Sequence, residues 1–121
     1  MKVLLVDDSS TMRRIQRNVL EGIGIQEIQE AVDGQDAVSK LSFNPDLILL
    51  DWNMPNMDGH SFLKHVRGLE QFKTTKVIMV TSESEKSKII EAIKTGANSY
   101  IIKPFTPEVL KEKLKDLKMM G

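Results

Sequence analysis

Four short, unbroken apolar runs constrain this chain more than any other feature: Val3-Leu4-Leu5-Val6, Leu47-Ile48-Leu49-Leu50, Val77-Ile78-Met79-Val80 and Tyr100-Ile101-Ile102. A strand with one wet face alternates apolar and polar residues. Runs apolar at every position read instead as strands covered on both faces, as in a parallel sheet. A weaker strand is predicted over residues 27–31, with Ile25 and Ile28 its main apolar content.

Helical patterns separate the runs. Ser9, Ser10 or Thr11 can cap a helix that carries Met12, Ile15, Val19 and Ile23 on one stripe. Asp33-Gly34 turns into a short helix with Ala37, Val38 and Leu41 facing inward. Phe62, Leu63, Val66 and Leu69 form a third stripe. Ile89, Ile90 and Ile93 form a fourth, which Gly96 can terminate. Thr106 as N-cap and Pro107 at the first helical position open a last helix, whose inner face is Leu110, Leu114 and Leu117. Strand and helix thus alternate five times. Right-handed crossovers turn this order into a doubly wound α/β fold, a five-stranded parallel sheet with five helices on its two faces.

At 121 residues the expectation is a single domain, 1–121, and 40% hydrophobic residues suffice for its core. Lys plus Arg and Asp plus Glu are both 17, so no net field draws the chain to nucleic acid or to an anionic membrane. There is no cysteine, hence no disulfide framework and no thiolate metal site. The N-terminal apolar run is too short for a signal peptide, and no stretch could span a bilayer.

Each strong strand releases polar residues at its C-terminal end: Asp7 and Asp8, Asp51, Thr81 and Lys103. Doubly wound sheets bind ligands beyond these ends, where the strand order reverses. Any one of these residues alone is ordinary, since acidic pairs after strands often serve only as turns or caps. Their co-occurrence at four strand ends carries the argument. Three carboxylates packed together repel, so one must protonate or a cation must join them. An oxygen-rich site with room for water suits Mg²⁺. Lys103 adds a point charge for a phosphoryl oxygen and Thr81 a hydroxyl donor. The set fits in-line phosphoryl transfer, with one carboxylate as the nucleophile that forms an acyl phosphate.

These residues and their neighbours resemble the receiver domains of two-component response regulators along essentially the whole chain. The matching motifs are Val6-Asp7-Asp8-Ser9, the segment from Asp51-Trp52-Asn53 to Asp58-Gly59, Val80-Thr81-Ser82-Glu83, and Tyr100-Ile101-Ile102-Lys103-Pro104-Phe105. The Asp51 segment, Ser9 to Arg14 and Tyr100 are most similar to the family's single-domain chemotaxis members.

The resemblance implies a flavodoxin-like sheet of order 2-1-3-4-5 and a cis peptide before Pro104. It implies Asp51 as phosphoacceptor, with Mg²⁺ held by Asp8, Asp51 and the carbonyl of Asn53, and Asp7 acting through water. Lys103 would contact the phosphoryl group. Thr81 would swing toward it, and Tyr100 would move into the vacated space as a switch. Asn53 and Glu83 would tune phosphoryl lifetime, and Trp52 would adjoin the site as an accessory. The implied protein is a cytoplasmic, monomeric signalling switch that catalyses only its own phosphorylation and dephosphorylation. Its implied partners are a histidine kinase, a flagellar motor switch protein and a phosphatase. They would meet the fourth helix, fifth strand and last helix, where lysines and acidic residues alternate. Arg13, Arg14 and Arg17 are a second basic cluster, either a solvated face or a contact for kinase or phosphatase.

The alternative within the family is a phosphorelay intermediate or phosphate sink, which shares every reactive residue. The expectation is that no DNA-binding segment follows residue 121, which argues against direct transcriptional control. Outside the family, a phosphohydrolase with an aspartyl nucleophile would place an acidic residue where Asn53 stands. A flavin carrier would need a Gly/Ser/Thr-rich phosphate loop where Asp7-Asp8 would repel the ligand.

Overall fold

The computed structural model describes residues 1–120, and the side chains of all of these except Glu83 and Ser84. Five strands, β1 (Lys2–Val6), β2 (Glu27–Ala31), β3 (Leu47–Asp51), β4 (Lys76–Thr81) and β5 (Ser99–Ile102), form one parallel sheet in the order 2-1-3-4-5. The helices are α1 (Ser10–Gly22), α2 (Gly34–Lys40), α3 (Gly59–Arg67), α4 (Ile89–Thr95) and α5 (Pro107–Asp116), with short 3₁₀ turns between some of them. The peptide between Lys103 and Pro104 is cis.

The unbroken apolar runs are explained by two cores. Alternate strand residues point to opposite sides of the sheet. Leu4, Val6, Ile48, Leu50, Val77 and Met79 pack beneath α2, α3 and α4 with Ala37, Phe62, Leu63, Val66 and Ala92. Val3, Leu5, Leu47, Leu49, Ile78, Val80 and Ile101 pack on the other side with Leu20 of α1 and Leu110 and Leu114 of α5. Every residue from Leu47 to Asp51 is buried, which a central strand between two helical layers requires.

Sequence and structure differ on two helices. In α1 the buried residues are Gln16 and Leu20, while Ile15 is 37% exposed and Val19 and Ile23 are half-buried. The helix is turned so that a polar side chain, Gln16, faces the sheet, where Asp7 supplies its partner. In α4 the inward residue is Ala92, and Ile90 and Ile93 stand 68% and 45% exposed. A small alanine lets the helix sit close to the sheet, and its isoleucines fall on the outer side. Gly96 ends α4 at φ +125°, a conformation that glycine adopts without steric cost.

The register aligns the strand ends. Val6 pairs with Leu50, Asp51 with Val80, and Thr81 with Ile102. Asp7, Asp8, Asp51, Thr81 and Lys103 therefore leave the sheet along one edge, at the switch between β1 and β3.

Candidate functional site

Asp7 is the most tightly held of these residues. It is 1% exposed. Its Oδ1 accepts from the backbone N–H of Ser9 at 2.8 Å, and its Oδ2 from Gln16 Nε2 at 3.3 Å. Arg13 donates to its carbonyl oxygen at 2.7 Å. Arg13 and Arg17 also pair with Glu30 at 2.9 and 2.8 Å. Two of the three arginines in the basic cluster are thus engaged in fixing α1 and Asp7 against β2, and Arg14 is the one of the three that stands exposed.

Asp51, at the end of β3, is 3% exposed. Lys103 Nζ lies 3.0 Å from its Oδ1 and 3.6 Å from Oδ2 of Asp7. Asp8 is on the exposed side, and one oxygen from each of Asp7, Asp8 and Asp51 can be chosen so that all lie within 4.8 Å of one another. Burial pushes the Asp51 carboxyl up to about 6, with the charges of Asp7 and Glu85 adding to the rise and the bond from Lys103 opposing it. Burial disfavours the Lys103 ammonium, but its bond to Asp51 and the surrounding carboxylates outweigh this and hold it above its ordinary value.

Those facts test the site for a cation. The donors are hard carboxylate oxygens, one set open to solvent, and a single lysine cannot neutralise all three. Such a set suits a small divalent ion that keeps several waters.

Thr81 closes β4 and is 3% exposed; its hydroxyl donates to the carbonyl of Ser82 at 3.2 Å. The hydroxyl is therefore parked on its own turn. Tyr100, two residues before Ile102 on β5, is half-buried against the α2–α4 core, with Lys113 Nζ 4.7 Å from its ring centroid. Trp52 stacks on His60, ring centroids 5.3 Å apart, and Lys88 Nζ lies 5.6 Å from its ring centroid. The side chain of Glu83 lies outside the described residues.

The loop after Asp51 is fastened at both ends. Asn56 donates to Asp33 at 2.7 Å and the N–H of Gly34 to the carbonyl of Met57 at 3.0 Å, tying the loop to α2. Asp58 caps α3 through the N–H of Ser61 at 2.8 Å. Asn53, the position expected to tune lifetime, donates to the carboxylate of Glu85.

Glu85 is an acidic residue whose position the sequence pattern conceals. It reads as one more charge on a solvated helix face, yet it is 8% exposed and bonded to both Asn53 and Ser82. The available signal was Ser82-x-x-Glu85, a capping box. Gln16 was missed because a polar residue on an apolar stripe reads as solvent-facing until its partner is known.

The family model of the response regulator receiver domain matches residues 3–115. Chemotaxis protein CheY1 of Helicobacter pylori is 50% identical over 117 residues, covering 95% of this chain and 94% of that protein. Chemotaxis protein CheY of Pseudomonas aeruginosa is 48% identical over 118 residues, covering 97% and 95%. Among solved structures, the chemotaxis response regulator CheY4 of Vibrio cholerae superposes with a TM-score of 0.85 at 38% identity, over 96% of this chain and 97% of that one.

Proposed function

The chain belongs to the family of response regulator receiver domains, and we propose that it is a chemotaxis response regulator whose Asp51 accepts a phosphoryl group from a histidine kinase. The observation that carries this reading is the joint grip of Lys103 on Asp51 and Asp7, 3.0 and 3.6 Å away, beside the exposed Asp8. Three carboxylates around one ammonium form a site short of positive charge, with a buried nucleophile fixed at its base.

Asp8, Asp51 and the carbonyl of Asn53 would hold Mg²⁺, with Asp7 contributing through water. The ion would neutralise charge on the phosphoryl oxygens. Lys103 binds a phosphoryl oxygen as a point charge. A carboxylate oxygen of Asp51 attacks phosphorus as the N–P bond of the donor histidine breaks. The ring nitrogen leaves with the bonding pair, and a proton from solvent restores the neutral imidazole. Asp51 is left as an acyl phosphate, which water later cleaves, so the protein turns over no external substrate.

The added charge gives the parked hydroxyl of Thr81 a new partner. Lys103 N–H already bonds the carbonyl of Thr81 at 2.8 Å, so motion at Thr81 is felt on β5. Tyr100 then follows inward, carrying the event to the face of α4, β5 and α5. That face presents Ile90, Ile93 and Val109, exposed by 68%, 45% and 42%. A shallow groove beside it is lined by Tyr100, Ile102, Phe105, Val109 and Lys113. Exposed apolar side chains on α4 and α5 support a docking surface there, which we assign to a flagellar motor switch protein, with the kinase and a phosphatase as further partners. Residues 1–121 work as one receiver domain, monomeric and in the cytoplasm.

Intact mass after incubation with a small acyl phosphate and Mg²⁺ tests the reading. Wild type gains one phosphoryl group and Asp51→Asn gains none. A modified Asp51→Asn, or an unmodified wild type, would refute it. Capture of a motor switch protein, with and without an acyl-phosphate mimic, tests the output.

A further inference from the structure

Glu85 is a buried carboxylate that the reaction above does not use. It follows Ser82 on a 3₁₀ turn, and its Oε1 accepts from Ser82 N and Oγ at 3.2 and 3.1 Å. Its Oε2 accepts from the carboxamide of Asn53. Asn53 stands two residues past Asp51, and its Oδ1 lies 3.5 Å from Lys88 Nζ. The carboxylate is thus strapped onto the rim of the site between two segments, the loop that follows Asp51 and the turn that follows Thr81.

A capping box explains the bonds to Ser82. It does not explain the bond to Asn53, nor why a charged side chain is only 8% exposed there. A fixed charge at a partly buried rim is weakly screened, so it acts on any ion that enters. Its effect on an incoming donor scales with the donor's own charge.

Building on the reading of Asp51 as phosphoacceptor, we propose that Glu85 is a specificity-determining residue for the phosphodonor, disfavouring small dianionic donors relative to donors of lower net charge. With acetyl phosphate the O–P bond breaks and acetate leaves. With phosphoramidate the N–P bond breaks and ammonia leaves. Both put the same phosphoryl group on Asp51, but the first donor enters as a dianion and the second with one net negative charge at neutral pH.

Phosphorylation rates of wild type and Glu85→Gln, followed by intact mass in excess Mg²⁺ at low salt, decide the matter. Glutamine keeps an acceptor for the Ser82 cap, and Asn53 can turn its carboxamide to meet the new amide. The rate with acetyl phosphate should rise roughly fivefold and that with phosphoramidate less than about twofold, with the gap closing as NaCl is added. Glu85→Ala, which also loses the cap, should show the same donor split. Equal changes with both donors, or a split that salt does not reduce, would reduce Glu85 to a cap and overturn the proposal. If wild type takes up no phosphoryl group from either donor, the assignment of Asp51 fails and this inference with it. If wild type is modified and both variants keep its donor ratio, this inference alone fails.

Discussion

Lys103 donates to Oδ1 of Asp51 across 3.0 Å while its ammonium also lies 3.6 Å from Oδ2 of Asp7. One cation divided between two buried carboxylates leaves the nucleophile under-neutralised. The cost is visible in Asp51, whose carboxyl is pushed up to about 6 chiefly by burial.

That elevation has a consequence for stability. The folded chain holds the Asp51 proton more tightly than the unfolded chain, whose carboxyl keeps the ordinary value of 3.8. Favourable proton binding is fully present below that value and is lost as pH rises through about 6, so stability falls across this window. A two-unit elevation corresponds to an upper limit of about 3 kcal/mol. Urea unfolding in EDTA should therefore show wild type losing stability between about pH 4 and 6. Asp51→Asn should lose less there and be more stable at pH 7, by about 1–3 kcal/mol, since Lys103 keeps Asp7 as a partner. An asparagine variant less stable than wild type at pH 7 would show that the Lys103 bond outweighs the burial cost.

Added Mg²⁺ should reverse the same deficit. A ligand at 100 times its Kd stabilises the state that binds it by about 2.7 kcal/mol. The midpoint of thermal unfolding should rise with Mg²⁺, and Trp52, adjoining Asp51, should change emission as the ion binds. Asp8 is exposed, so Asp8→Asn should alter ion-free stability by no more than about 0.5 kcal/mol. It should nonetheless abolish the Mg²⁺-dependent rise. Calorimetric titration and melting curves of the two proteins check this.

The parallel strands and the edge where their carboxyl ends gather were legible because they rest on local pattern, whereas the strand order came from the family resemblance. Unbroken runs such as Leu47 to Leu50 demand cover on both faces, and parallel strands align their C-terminal ends. What local pattern did not reveal was the direction each helix faces. Ile90 and Ile93 share a stripe, but a stripe reads the same whether this chain or a partner covers it. Gln16 and Glu85 were hidden for a related reason. A buried polar side chain needs a partner from a distant segment, Asp7 for one and Asn53 for the other, and a sequence does not display that pairing.

The exposed isoleucines of α4 separate folding from output. Ile90 is 68% exposed, so Ile90→Asp should shift the urea midpoint by an amount worth no more than about 0.5 kcal/mol. If the α4 face docks a motor switch protein, the same change should weaken that association at least tenfold, about 1.4 kcal/mol or more, because a charge would have to be desolvated in an apolar contact. Titration calorimetry with the acyl-phosphate mimic bound to Asp51 measures this. Undiminished affinity would move the docking surface away from α4.

Gly59 tests how firmly the backbone of Asp51 must be held. It opens α3 after the Asp58 cap, and its N–H donates to the carbonyl of Trp52 at 2.9 Å. A methyl group built on it would overlap the carbonyl oxygen of Asp51 and stand 3.1 Å from the Asp51 carbonyl carbon and from Trp52 Cα. All three are backbone atoms, so no side chain can turn aside to admit it. Gly59→Ala should therefore cost about 1–3 kcal/mol in urea unfolding, the usual range for overpacking. The displaced nucleophile should also slow phosphoryl uptake by intact mass. Gly22 is the control: it closes α1 and a methyl there meets nothing within 4 Å. Gly22→Ala should leave uptake unchanged and raise stability by about 0.5–1 kcal/mol through helix propensity. A Gly59→Ala protein as stable and as reactive as Gly22→Ala would show that the end of β3 yields, and that Asp51 needs no rigid backbone to react.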